Sequence, residues 1–307
     1  MRYDVTVIGE IYLDHVFSGF AGWPAPGSEV FTDDYTRELG GGAITTACAL
    51  SLLGARVRLI GVVGEADYKT IADRLEEFGV SAGNLILEKG RTGVTVSIST
   101  AADRTFFTYR GVNDQLAKYL TGHPEVTAEA AQARHVHLAL PLEVKGGTQV
   151  LQALQAQAAT VSIDVGHHVD WLQNTDNWEL MRRIDYVMPN EKESTMLAGN
   201  PEAYLQLCRE HGVKHALVKL GAAGAVMLSD GKEYRAAPPA VDLIDTTGAG
   251  DAFDAGFIHA LLEGLSPQQC LQHGCVCGAL STRAAGALRA LPTLAEAEAA
   301  LEEFYAT

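Results

Sequence analysis

The 307-residue chain predicts an α/β fold: a mostly parallel central sheet covered by helices on both faces, with a small β-rich addition. Three observations carry that expectation. Short, nearly continuous apolar runs at 3–9, 57–63, 135–140, 160–164, 185–188 and 215–220 alternate with longer helical patterns. Such alternation marks parallel strands joined by crossover helices. Two segments, 16–38 and 93–110, interrupt it with β-like pieces that have no helical period. The stretch Asp245–Ile258, DTTGAGDAFDAGFI, passes from short polar residues and glycine directly into an apolar helix pattern, a junction at which α/β proteins hold anions.

Composition bounds the function. A 47% hydrophobic content is ample for a large core, and no linker, repeat or low-complexity run divides residues 1–307, so one domain is the economical reading. The formal net charge of −15, with no stripe of Lys or Arg, argues against a nucleic-acid partner. Cys48, Cys208, Cys270, Cys275 and Cys277 are scattered without metal-type spacing and predict reduced thiols and a cytoplasmic protein. The opening MRYDVTVIGE reads as a strand, not an export signal, and no run is long enough to cross a bilayer.

The first strand delivers Glu10–Asp14 to the C-terminal edge of the sheet, where α/β ligands sit; Asp14 reads as a turn residue or as a ligand-holding acid. Gly40-Gly41-Gly42 precede a helix at Ala43–Leu53, which Gly54 ends, and fit either a hinge or close approach by a ligand. Strand 57–63 leads to a helix capped by Asp67, with Ile71, Leu75 and Phe78 on one face. In the hairpin 93–110, Val94, Val96 and Ile98 alternate with Thr95, Ser97 and Ser99 before a turn at 101–103. Arg104, Tyr109 and Asn113 are its candidate substrate contacts, with ordinary edge-strand polarity as the alternative.

Further helices are expected at 127–133 and 147–158. His135 and His137 share one strand face and His167 and His168 lie in a loop, but neither pair has a third ligand, so they read as structural or surface residues. If a helix starts at Pro189, Asn190 and Glu193 face one point; acids in a first turn also serve the dipole. Lys219 ends a strand before Gly221–Gly224 and a strand at 225–228, and Val241–Ile244 reads as β-like. Gly248 and Gly250 let backbone N–H groups converge, and a helix starting near Asp251 adds its dipole. Asp251 then either offsets the dipole or, beside a phosphate, acts as a base on a hydroxyl. Ser266 caps a helix opening with Pro267.

The strings GEIYLDH, GGGAITTACALSLLGA, Asn190-x-x-Glu193, KLGAAG and DTTGAGDAFDAGFI stand in the order found in ribokinase-like, or PfkB, carbohydrate kinases, and the chain resembles that family over essentially its whole length. The resemblance implies a three-layer α/β/α ribokinase-like fold. Insertions at about 12–39 and 91–113 would form a small β-sheet lid, often also a dimer contact. It implies Asp251 as general base, with Gly248, Ala249 and Gly250 stabilising the transferring phosphoryl group. Asp14, Gly40, Gly41, Gly42, Thr45, Arg104 and Asn113 would surround the sugar. Asn190, Glu193, Lys219, Gly221, Gly224, Ala279 and Gly286 would surround ATP, with magnesium held through water at Glu193 and potassium at Asp245 and Thr247. Thr45 stands where the family usually has Asn, which bears on the identity of the sugar.

The implied activity is ATP-dependent phosphorylation of a hydroxyl on a small sugar or sugar acid. A nucleoside kinase on the same fold is the nearest alternative and needs a base slot, for which Trp23, Phe106 and Phe107 are candidates. A sugar- or nucleotide-binding module without chemistry is disfavoured by the presence of Asp251. No GxxxxGK[ST] occurs, and Phe253 stands where a nicotinamide fingerprint needs its third glycine.

Overall fold

The structure, a computed structural model, describes residues 3–100, 104–157 and 160–305; the Arg104 side chain lies outside the described residues. Its strands are β1 (Val5–Gly9), β2 (Tyr12–Phe20), β3 (Tyr35–Gly40), β4 (Val57–Ile60), β5 (Val62–Gly64), β6 (Ile86–Glu88), β7 (Gly93–Thr100), β8 (Arg104–Tyr109), β9 (His135–Ala139), β10 (Thr160–Ile163), β11 (Tyr186–Val187), β12 (His215–Lys219), β13 (Ala225–Ser229) and β14 (Lys232–Ala236).

Eight of them form the central sheet in the order β14-β13-β12-β11-β10-β9-β1-β4. From β4 to β12 all pairs are parallel; the β12–β13 and β13–β14 pairs are antiparallel, so β13 alone runs against the other strands. Alternation of side chains along each strand sends Val5 and Val7 to one face and Ile8 to the other. Ile8, Val136, Leu138, Val161, Ile163 and Val218 pack with helices that include Val144–Gln155 and Pro201–His211. On the opposite face Val5 and Val7 meet the helices Gly42–Leu52, Ala249–Leu262 and Pro267–Leu280. The fold is therefore the expected three-layer α/β/α arrangement, and each fully buried Leu or Ile, such as Leu59 or Ile44, contributes about 1.5–3 kcal/mol.

A separate four-stranded sheet has the order β3-β2-β7-β8, with β2 and β7 parallel and the outer pairs antiparallel. Its strands come from the two segments that lack helical period. β3 runs straight into the helix Gly42–Leu52, so this sheet is tied to the main body through the glycine triplet.

The structure corrects several local expectations. Val241–Ile244 forms no strand; Leu243 and Ile244 are 66% and 63% exposed, because the sheet has already ended at β14. The helix expected at Pro189 starts at Glu191, with Asn190 as its cap. Asp67 sits at a helix N-cap but makes no cap hydrogen bond, its carboxylate accepting instead from the Thr92 N–H. The helix expected over 147–158 ends at Gln155, and Ala158 lies outside the described residues. His135 and His137 are wholly buried, not surface residues. Ser266 caps its helix as expected, in a reciprocal box with Gln269.

Candidate active site

The helix Ala249–Leu262 begins two residues earlier than expected, directly after Gly248, whose φ of 76° is left-handed. A Cβ at Gly248 would stand 2.7 Å from the Ala287 Cβ and 3.1 Å from the Thr45 methyl, so both the turn and the close packing demand glycine there. The Ala249 N–H donates to the Thr246 carbonyl. Among the described residues no backbone acceptor engages the N–H groups of Gly250 and Asp251, and these two are the donors that the first turn offers an anion. Asp245 holds the approach to the turn: its carboxylate accepts from the N–H and Oγ1 of Thr247 (2.9 and 2.8 Å) and from the Gly286 N–H (2.9 Å).

Asp251 projects from this turn against the glycine triplet. A Cβ at Gly42 would lie 2.7 Å from its Oδ1, and the Thr46 hydroxyl donates to its backbone carbonyl. None of the described residues hydrogen-bonds its carboxylate. Burial, reinforced by the negative charge of Asp164 and opposed by Lys219, pushes its pKa up to about 7.

The acid cluster beneath extends beyond the motif. Asp164, Asp251 and Asp254 bring one carboxylate oxygen each within 4.8 Å of one another. Lys219 Nζ donates to Asp164 Oδ2 at 2.6 Å and to both Asp254 oxygens at 3.1 and 3.0 Å. Burial opposes the lysine charge, but attraction to Asp164 and Asp254 outweighs it and raises the pKa. Burial works against the Asp164 charge too, and Lys219 holds that group below its ordinary range, whereas burial drives Asp254 well above it. Lys219, expected at the nucleotide phosphates, thus has its ammonium engaged by Asp164 and Asp254.

A second acid, Asp14 on β2, sits against Gly40; a Cβ there would fall within 2.2 Å of the carboxylate. Burial first, then Glu38, raises Asp14 to about 6. Glu38 is itself held by Arg74 at 2.6 and 2.9 Å. Gly41 lies against the Glu10 carbonyl. Asn113 does not offer its amide to a ligand: Oδ1 accepts from the Ile11 N–H at 3.0 Å and Nδ2 donates to the Ile11 carbonyl at 2.8 Å. Thr45, expected beside Asp14, is buried with its methyl toward Gly248 and its hydroxyl toward the Gly41 carbonyl. It packs under the anion turn. Tyr109 is exposed on β8, and Trp23 and Phe107 face each other at 6.0 Å between centroids.

On the other side of the turn, Asn190 and Glu193 form a capping box. Glu193 accepts from the Asn190 N–H at 2.9 Å and from its side-chain amide at 2.7 Å, and Glu193 N–H donates to Asn190 Oδ1. Burial, then Asp164, raises Glu193 to about 7. Gly221 and Gly224 bound the turn between β12 and β13, and half-buried Ala279 lies near the end of the helix Pro267–Leu280. A cavity of about 1050 Å³ opens beside Glu10 and Arg110, but neither Asp14 nor Asp251 lines it, so the chemistry of the turn lies elsewhere.

Sequence reasoning missed Asp164 and Asp254. Asp164 was visible as an acid ending a strand at the ligand-bearing edge. Asp254 was visible as a charge on the otherwise apolar stripe of the motif helix, three residues after Asp251 and so on the same side. Behind them runs a polar ladder: Thr160 Oγ1 to His135 Nδ1, His135 Nε2 to Ser162 Oγ, and Ser162 Oγ to His137 Nδ1, each 2.8 Å.

Residues 3–294 match the model of the pfkB family carbohydrate kinases. The chain belongs to that family and is a carbohydrate kinase. It is 27% identical over 306 residues to a ribokinase of Haemophilus influenzae, covering 96% of this chain and 97% of the relative. It is 32% identical over 272 residues to an ATP-dependent ribose-1-phosphate kinase of Halopiger xanaduensis, covering 87% and 88%. The structure of Arabidopsis thaliana ribokinase complexed with ribose and ATP superposes with a TM-score of 0.84 at 26% identity, covering 98% of this chain and 99% of that one. The ribokinase fold is thus established.

Proposed function

We propose that the protein transfers the γ-phosphoryl group of ATP to a hydroxyl of a small sugar or sugar acid. One observation carries the reading: a half-buried carboxylate, Asp251, which none of the described residues hydrogen-bonds, stands in the same helical turn as two N–H donors that no described residue engages. An acid there is unfavourable beside a phosphate unless it removes a proton. Ionised above about pH 7, Asp251 takes the proton of the acceptor hydroxyl, while the Gly250 and Asp251 N–H groups bear charge developing on the phosphoryl oxygens. Asp14 orients the acceptor by accepting from its hydroxyls. Asn190, Gly221, Gly224, Ala279 and Gly286 border the nucleotide.

Asp164, Glu193, Asp251 and Asp254 crowd around Lys219, and this excess of buried acid suits a divalent cation arriving with the nucleotide. Glu193 would hold magnesium through water, and the ion supplies charge neutralisation at the phosphates. Asp245 and Thr247 are the oxygens assigned to potassium, which would order the turn they already brace.

We read residues 1–307 as one kinase domain, with the four-stranded sheet as a lid that excludes water on closing. Phe31, Phe106, Phe107 and Tyr109 on that sheet and its connecting loop are exposed and suit a homodimer contact, checked by sedimentation of Phe31→Ser.

ATP consumption against pentoses, hexoses, 2-keto-3-deoxygluconate and nucleosides tests the reading. Turnover with a sugar or sugar acid is expected. Turnover with nucleosides alone overturns the substrate class. Exchange of potassium for tetramethylammonium is expected to raise the KM for ATP, and no change removes the cation site.

A further inference from the structure

We propose that Lys219 is a positioning residue: clamped by Asp164 and Asp254 behind Gly250, it fixes the first turn of the helix Ala249–Leu262 and the charge that Asp251 faces. This inference rests on the reading of Asp251 as the base.

Three observations place the lysine there. Its backbone is pinned, the Lys219 N–H donating to the Pro189 carbonyl at 3.0 Å, so the side chain starts from a fixed point at the end of β12. Its ammonium donates to both acids, to Asp164 Oδ2 and to the two oxygens of the Asp254 carboxylate, so it is held between β10 and the motif helix. It also reaches the turn: a Cβ at Gly250 would stand 3.5 Å from Nζ. One clamp therefore joins the end of β10, the end of β12 and the motif helix. Removing Lys219 leaves Asp164 and Asp254 without their shared cation.

The groups facing Asp251 come from several elements. Asp164 lies at the end of β10, Lys219 on β12, Glu193 on the helix Glu191–Ala198, and Asp254 on its own helix. From the helix Gly42–Leu52, Gly42 and Thr46 lie against Asp251. His137 on β9 feels Asp164 and Lys219, and its buried Nε2 has no hydrogen-bond partner among the described residues. Of these, Asp164 repels the Asp251 charge and Lys219 attracts it, so the clamp carries one influence of each sign.

The test is the pH profile of kcat/KM for the sugar, whose acid limb reports the base in the free enzyme. Asp164→Asn is expected to move the limb to lower pH by roughly one unit. Lys219→Met is expected to lower kcat by about tenfold or more while the KM for ATP changes less than about threefold. Should Asp164→Asn fail to fold, the double variant Asp164→Asn/Lys219→Met removes both charges, an exchange that buried pairs tolerate. Its limb is expected between those of Asp164→Asn and the unaltered protein. A limb that stays in place in the single or the double variant overturns the proposal. So does a Lys219→Met protein whose loss is confined to ATP affinity, which would make the lysine a nucleotide ligand. Wild-type turnover by Asp251→Asn would remove the base itself, whereas an unmoved limb beside an inactive Asp251→Asn removes the clamp alone.

Discussion

Asp14 and Asp251 occupy matched positions at the two ends of one glycine triplet. Asp14 reaches in from the four-stranded sheet and lies against Gly40; Asp251 reaches in from the motif helix and lies against Gly42. Burial raises both, to about 6 and about 7. They differ in what surrounds them. Asp14 is faced by Glu38, which Arg74 already balances, and it lies on the separate four-stranded sheet. Asp251 is faced by a buried cluster that crosses three elements. Under the proposed function the same residue type at the same kind of contact would serve two tasks: the acid on the four-stranded sheet grips a ligand, whereas the acid on the braced helix does chemistry that a displacement of about 1 Å would disable.

The largest expected effect separates the two acids. Asp251→Asn lowers kcat by about 10²–10⁴ and leaves sugar and ATP binding largely intact, as direct binding and turnover measurements will show. The same variant carries a pH signature. Asp251 has a folded pKa near 7 and a reference value of 3.8, so its ionisation opposes folding. That cost is complete above about pH 7 and vanishes as pH falls below the unfolded value. Asp251→Asn is therefore more stable than the unaltered protein at pH 8, by about 2–4 °C in Tm, and the difference shrinks toward pH 4. Equal Tm values at pH 8 would contradict the raised pKa.

Next in size is Gly42→Ala. Its methyl would meet Asp251 Oδ1 at 2.7 Å and push the base out of place, reducing kcat by about 10–100-fold with every sugar. If kcat holds, the carboxylate tolerates displacement and the contrast with Asp14 weakens. Asp14→Asn should act on the other term: kcat/KM for the sugar falls about 10–100-fold while the KM for ATP is held, because only hydroxyl contacts are lost. A pure kcat loss would place Asp14 with the chemistry instead.

The smallest effect concerns Thr45. Because it packs under Gly248, Thr45→Asn crowds the anion turn and slows all accepted sugars alike, by about 3–10-fold, without reordering them. A changed ranking across the sugar panel would return Thr45 to the acceptor site.

Much of this was legible in the chain. Short apolar runs separated by helical periods predict a parallel sheet covered on both faces, because a strand buried on both sides has no polar alternation. The order of the glycine and acid strings gave the family and pointed to Asp14, the triplet and Asp251. Local signals also worked where the physics is local: Ser266 caps its helix, and Gly248 permits a left-handed turn that other residues strain to adopt. They failed where a side chain had two partners to choose between. Asp67 left its helix for Thr92, and Asn113 turned back onto the Ile11 backbone.

What the sequence determined by itself is the set of elements, their layering and the motif residues, since these follow from periodicity and from backbone conformations that few residues allow. What only the tertiary structure decided is which charges meet. Lys219 reads as a strand-end lysine free to reach a phosphate, and Asp164 and Asp254 stand 55 and 35 positions away from it in the chain. The folding of β10, β12 and the motif helix to one edge of the sheet brings them within hydrogen-bond distance. Coulomb energy and desolvation depend on distance through space and on burial, and neither is written in the order of residues.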